Sequence, residues 1–99
     1  MVSRLIIENG SNAGAEFVVP TNDYTTIGRS SDCTIFLHDD SVAKNHARFW
    51  LRGGGSLRCY VVKDGYVTWL NGDSVSAPFD VVDGDILQIG DFEIRFVGG

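Results

Sequence analysis

Apolar and polar positions alternate with a period of two near the end of the chain. Leu87 and Ile89 flank Gln88, and Phe92, Ile94 and Phe96 flank Glu93 and Arg95. Successive side chains of a strand point to opposite faces, so this pattern predicts two strands with an apolar side toward a core and a charged side toward water. Gly90-Asp91 between them supplies a two-residue hairpin turn. Short β-rich runs at 4–8, 16–19, 24–27, 34–37, 47–51, 59–62 and 67–70 precede this pair at 85–89 and 92–97. Asn71-Gly72 and Asp83-Gly84 read as turns, and Gly53-Gly54-Gly55-Ser56 as a flexible loop. No longer stretch shows helical spacing. Many short strands separated by turn residues predict an all-β sandwich or barrel. Neither a repeat nor a second domain is visible.

The same alternation divides the residues of the run 47–51. With Ala47, Phe49 and Leu51 inward, Arg48, Trp50 and Arg52 point outward. A tryptophan between two arginines has the composition of an interface hot spot. It is equally the composition of a tryptophan lying on its own sheet with an arginine stacked over it. Trp69 and Val67 share one face of their run, and Thr68 and Leu70 the other, so Trp69 with Tyr66 is a second candidate surface.

Composition narrows the class. Apolar residues make up 43% and charged residues 21% of 99 residues, which fits one folded domain. Thirteen acids against eight bases give a net charge of −5, which argues against nucleic acid as a direct partner. No apolar run approaches the ~18 residues of a membrane span, and no secretory leader pattern opens the chain. The protein is therefore expected to be intracellular, with Cys33 and Cys59 as free core thiols. Gly98-Gly99 reads as the start of a linker.

Catalytic motifs are missing: there is no GxSxG, GxxxxGK, HExxH or CxxC. Cys33, Cys59, His38 and His46 lack the spacing of paired zinc ligands. No enzyme activity, metal or cofactor is expected. Gly28-Arg29-Ser30 follows a predicted strand and opens a loop. An arginine so placed can clamp a phosphate or carboxylate through two parallel bonds, or it can be an ordinary solvated charge.

These residues belong to a larger pattern. Ile27-Gly28-Arg29-Ser30, Asp32-Cys33-Thr34-Ile35 and Val42-Ala43-Lys44-Asn45-His46-Ala47 resemble the signature of the forkhead-associated (FHA) family. Thr68-Trp69-Leu70-Asn71-Gly72 and Val82-Asp83-Gly84-Asp85-Ile86-Leu87-Gln88-Ile89-Gly90 are similar to its later blocks. The blocks occur in order, and the domain is read as residues 1–97. The resemblance implies a β-sandwich of about eleven strands in two sheets. It also implies recognition of phosphothreonine peptides by loops at one end. Arg29 matches the family's phosphate-binding arginine, Gly28 the glycine before it, and His46 a histidine that braces the loops. Asn71-Gly72 matches a structural turn.

Two positions depart from that pattern. Ala43 stands where the family has a phosphate-binding serine, and Ser41 lies two residues earlier. The stretch from Asp64 to Thr68 is shorter than the family's, and its peptide-binding asparagine falls on Tyr66. Losing one charged and one neutral hydrogen bond removes about 2–4.5 kcal/mol, a ~30- to ~2,000-fold loss of affinity. The expectation is thus a divergent FHA module that binds protein without phosphorylation, most simply as a homodimer through Trp50, Arg48 and Arg52. The alternative is a phosphothreonine reader with a pocket rebuilt from Arg29, Ser30, Lys44 and Asn45. Eukaryotic members suggest a nuclear, DNA-damage signalling setting, which is favoured over the cytoplasm; bacterial members suggest kinase pathways or secretion.

Overall fold

The computed structural model describes residues 2–98. Eleven strands run in order: β1 (Arg4–Ile7), β2 (Glu16–Val18), β3 (Thr25–Gly28), β4 (Ile35–Phe36), β5 (Ala47–Leu51), β6 (Leu57–Val62), β7 (Thr68–Leu70), β8 (Asp73–Ser74), β9 (Phe79–Val81), β10 (Ile86–Ile89) and β11 (Phe92–Val97). They form a six-stranded sheet, β2-β1-β11-β10-β7-β8, and a five-stranded sheet, β4-β3-β5-β6-β9. This is the all-β sandwich expected from the sequence.

The pattern of alternation sets which face each strand buries. Leu87, Ile89, Ile94 and Phe96 are buried from β10 and β11, joined by Leu5 and Ile7 from β1. Facing them are Ile27, Ile35, Phe49, Leu57, Cys59 and Val81 of the other sheet. Each large side chain so buried contributes about 1.5–3 kcal/mol. The β10–β11 hairpin pairs Leu87 with Ile94 and Ile89 with Phe92, which leaves Gly90-Asp91 as the turn. Its last core residues hold the first strand in place, because β1 pairs along β11 from Arg4↔Val97 to Ile7↔Ile94. Both ends of the described chain thus lie in one sheet.

Three features depart from the sequence reading. β8 and β9 are absent from it: they hold two and three residues in a turn-rich stretch and are ordered by pairing with β7 and β6. β6 begins two residues earlier than expected, at Leu57, because Leu57 pairs with Leu51 across the glycine loop. A bulge between Arg48 and Phe49 shifts the β5–β6 register, so Arg48 faces Val61 while Phe49 faces Cys59. Among the described residues neither Cys33 nor Cys59 is in a disulfide, and both are buried. Gly98 donates its amide to Asp83 at 2.9 Å and so is tied to the domain, while Gly99 lies outside the described residues.

Candidate functional site

The loops after β3, β4 and β6 meet at one end of the sandwich. Arg29 N–H bonds Ala43 O at 2.9 Å, Ser30 N–H bonds Lys44 O at 3.0 Å, and Lys63 N–H bonds His46 O at 2.8 Å. Gly28 permits the closest of these approaches: a Cβ there would sit 2.4 Å from Lys44 O and 2.9 Å from Cys33 Sγ. Gly90 does the same below, where a Cβ would lie 2.4 Å from Ser41 O.

His46 joins the loops. It is fully buried, and its Nδ1 accepts the Ala43 amide at 3.1 Å. The proton is therefore assigned to Nε2, which donates toward Thr68 Oγ1 at 2.8 Å and Val67 O at 3.1 Å. Burial holds its pKa below the ordinary value, against the opposing bond to Val67. Tyr66 meets the ring edge-on at 5.7 Å. Asn71 and Gly72 lie at the far end of β7, with φ of 51° and 86° as an Asn-Gly hairpin turn requires. Asn71 accepts the Ile86 amide at 2.9 Å and donates to Asp85 at 3.0 Å.

Arg29 is exposed and its Nε donates to Val42 O at 3.2 Å. Lys44 and Asn45 are exposed, and Ser30 is half-buried with its hydroxyl on the Asp32 amide at 3.3 Å. Among the described residues, no carboxylate comes within ion-pair distance of Arg29 or Lys44. Ala43 is 2% exposed and presents only a methyl group. Ser41 cannot replace the missing hydroxyl, since its Oγ accepts the Asp91 amide at 3.0 Å. Its own amide, aided by the hydroxyl, holds the Asp39 carboxyl below its usual range.

A second region covers the outer face of the five-stranded sheet. Arg48 and Trp50 point outward there, but the arginine stacks on Tyr24 rather than on the tryptophan: its guanidinium carbon lies 4.7 Å from the Tyr24 ring centre. Tyr24 meets Trp50 edge-on at 4.8 Å and Tyr60 at 6.4 Å. Arg58 reaches the Tyr60 ring at 5.9 Å and Asp80 at 3.1 Å, and Arg52 reaches the same carboxylate at 4.0 Å. Thr26, Asn45, Ala47 and Arg48 line a hollow of about 230 Å³ at its border with the loops. Trp69 lies elsewhere, on the outer face of the six-stranded sheet opposite Gln88. Among the described residues no ring contact joins it to Tyr66, so that pair does not form one patch.

The sequence reading missed Tyr24, Tyr60 and Arg58. Strand pairing delivers them: Thr26 pairs with Arg48, and Trp50 with Arg58. The alternation of Leu57 and Cys59 inward against Arg58 and Tyr60 outward was the available signal.

Comparison with known proteins agrees with this geometry. The glycogen accumulation regulator GarA of Mycolicibacterium smegmatis is 37% identical over 99 residues, covering 96% of this chain and 58% of that protein. An oxoglutarate dehydrogenase inhibitor of Corynebacterium diphtheriae is 36% identical over 97 residues, covering 96% and 64%. The chain thus spans about three fifths of these relatives. They are bacterial regulators, so the nuclear, DNA-damage setting expected from eukaryotic members finds no support in them. The FHA domain of a Chlamydia trachomatis protein superposes with a TM-score of 0.87 at 18% identity, over 98% of this chain and 97% of that one. The yeast Dun1 FHA domain, solved with a doubly phosphorylated peptide, superposes with 0.81 at 20% identity, over 98% and 74%. The FHA domain family matches residues 25–90, the stretch that carries Gly28-Arg29, His46, Asn71-Gly72 and the β10 block, and the chain belongs to that family.

Proposed function

We propose that this domain is an interaction module that engages its protein partner without requiring phosphothreonine. The observation that carries this reading is Ala43: the buried methyl group stands where the family's phosphate-binding serine would be, and Ser41 is committed to the Asp91 amide. Gly65 turns with φ of 83°, and Tyr66 after it, where the family's pattern has an asparagine, is exposed and meets the His46 ring edge-on. Such a module works as a regulator inside a bacterial cell, in keeping with the regulator and inhibitor it resembles.

A second reading is favoured by one observation. Arg29 and Lys44 keep free charge beside the loops of an acidic domain, and this could serve a phosphorylated partner through Arg29, Ser30, Lys44 and Asn45. Calorimetric titration with a phosphothreonine peptide library separates the two. The first reading expects dissociation constants above about 100 μM, since the hydroxyl and amide contacts are gone. A low-micromolar peptide that loses its affinity on dephosphorylation establishes the second.

A further inference from the structure

We infer that the outer face of the five-stranded sheet docks an acidic segment of a partner protein. This deepens the phosphothreonine-independent reading and rests on it.

The first ground is an imbalance of charge. The protein carries −5 overall, yet among the described residues Arg48, Arg52 and Arg58 share this face with a single strand carboxylate, Asp80. Asp80 already serves both Arg58 and Arg52. Asp23, at the margin, is engaged by the Tyr24 amide at 2.8 Å. Among the described residues, Arg48 has only the Tyr24 ring. The opposite face is arranged differently: Arg4 has Glu16 at 2.9 Å and Arg95 has Glu8 at 2.6 Å. One face is thus compensated within the chain, and the other awaits carboxylates from outside.

The second ground is the kind of surface that carries the charge. Tyr24 and Tyr60 are 42% and 44% exposed, and their rings hold the guanidinium groups of Arg48 and Arg58 in place. An arginine stacked on a ring keeps its planar donors free for a carboxylate, at a reduced entropy cost of ordering. Aromatic and arginine side chains together are the residues that dominate binding at interfaces.

The charge also decides between occupants. A second copy packed across a twofold axis would add three more arginines and only one more strand carboxylate, Asp80, to the patch, and this surplus of like charge disfavours that pairing. The homodimer expected from the sequence is therefore not the occupant this face fits. Nucleic acid needs a longer track of cations than these three.

Fluorescence anisotropy with a labelled peptide of alternating glutamate and leucine tests the inference on the whole chain, with the lysine–leucine peptide as control. The glutamate peptide should bind and the lysine peptide should not. Arg48→Glu should weaken binding about tenfold or more, and Arg95→Gln on the other face should leave it unchanged. Amide chemical shifts of the wild-type protein should move at Thr26, Arg48, Trp50 and Tyr60. Equal binding of both peptides, no effect of Arg48→Glu, or shifts confined to residues 29–30 and 43–45 would overturn it. So would a wild-type dimer in light scattering that Arg48→Glu converts to monomer. A tight phosphothreonine peptide held at Arg29 would sink the reading beneath it instead, and calorimetry detects that separately.

Discussion

The loop end and the outer face of the five-stranded sheet differ in how their polar groups are spent. At the loop end, His46, the Ala43 amide, Thr68 and the Val67 carbonyl satisfy one another in a buried network. Gly28 and Gly90 let backbone approach backbone. On the outer face, the Tyr24 and Tyr60 rings and Arg48 are exposed, and one carboxylate, Asp80, serves two cations. The loop end is braced by buried bonds and leaves Arg29, Lys44 and Asn45 exposed at its surface, while the flank of the sandwich presents rings and arginines.

The comparison breaks most sharply on His46. Replacing it with alanine removes one acceptor and one donor from a buried network and leaves a cavity. His46→Ala should therefore cost about 3–5 kcal/mol. In a domain of this size that lowers the melting temperature by roughly 4–8 °C per kcal/mol. Arg48→Ala, on the open face, gives up one exposed ring contact and should cost about 1 kcal/mol or less. Urea denaturation of both variants checks this; similar losses would mean that the loop end is no more rigid than the face.

Gly28→Ala should cost about 1–3 kcal/mol, because its methyl group would have to displace the Lys44 carbonyl backbone rather than a flexible side chain. A thermal melt matching wild type would show that the two loops part more easily than the hydrogen bonds at Arg29 and Ser30 imply.

Most of the fold was legible because its strands carry a one-sided apolar pattern. β10 and β11 show it plainly, since Leu87, Ile89, Phe92, Ile94 and Phe96 all face one core. β8 and β9 were not legible: residues 73–74 and 79–81 are too short to display a period and gain their order from neighbours. The site divided in the same way. Arg48 and Trp50 could be placed outward from their own strand, but Tyr24, Tyr60 and Arg58 join them only through pairing across three strands. Which ring Arg48 would cover was a matter of register, and the pattern within one strand contains no such information. The loop end was read from resemblance, and its hydrogen bonds follow from positions that no periodicity marks.

A gain-of-function change sharpens the contrast between bracing and recognition. Ala43→Ser restores one hydroxyl at a site only 2% exposed, and that hydroxyl must turn toward the rim near Arg29 to meet a phosphate. The affinity for phosphothreonine peptides should improve by less than about 100-fold, because the rim residue is still Tyr66. Calorimetry on the single variant tests this, and a larger gain would mean that the absent asparagine had never mattered.

The smallest expected effect concerns pH, and it again separates the two regions. His46 is neutral in the folded protein, with Nδ1 facing the Ala43 amide, so a proton added there would set one N–H against another. Its pKa is held below the ordinary value of 6.5. Above that value the ring is neutral whether folded or unfolded, and its contribution to stability is fully present. As the pH falls below it, the unfolded chain takes up the proton first, so stability is lost progressively until the folded ring also protonates. Asp39 shifts in the same sense, but its carboxyl is held below the ordinary carboxylate range, so its effect belongs to more acidic conditions than that of His46. The melting temperature should therefore fall between about pH 7 and pH 5, and His46→Gln should flatten that decline. Arg48→Ala, which leaves the network untouched, should keep the wild-type slope. Thermal melts of the three proteins across this range decide the matter. Parallel curves for wild type and His46→Gln would place the titrating group outside the loop end.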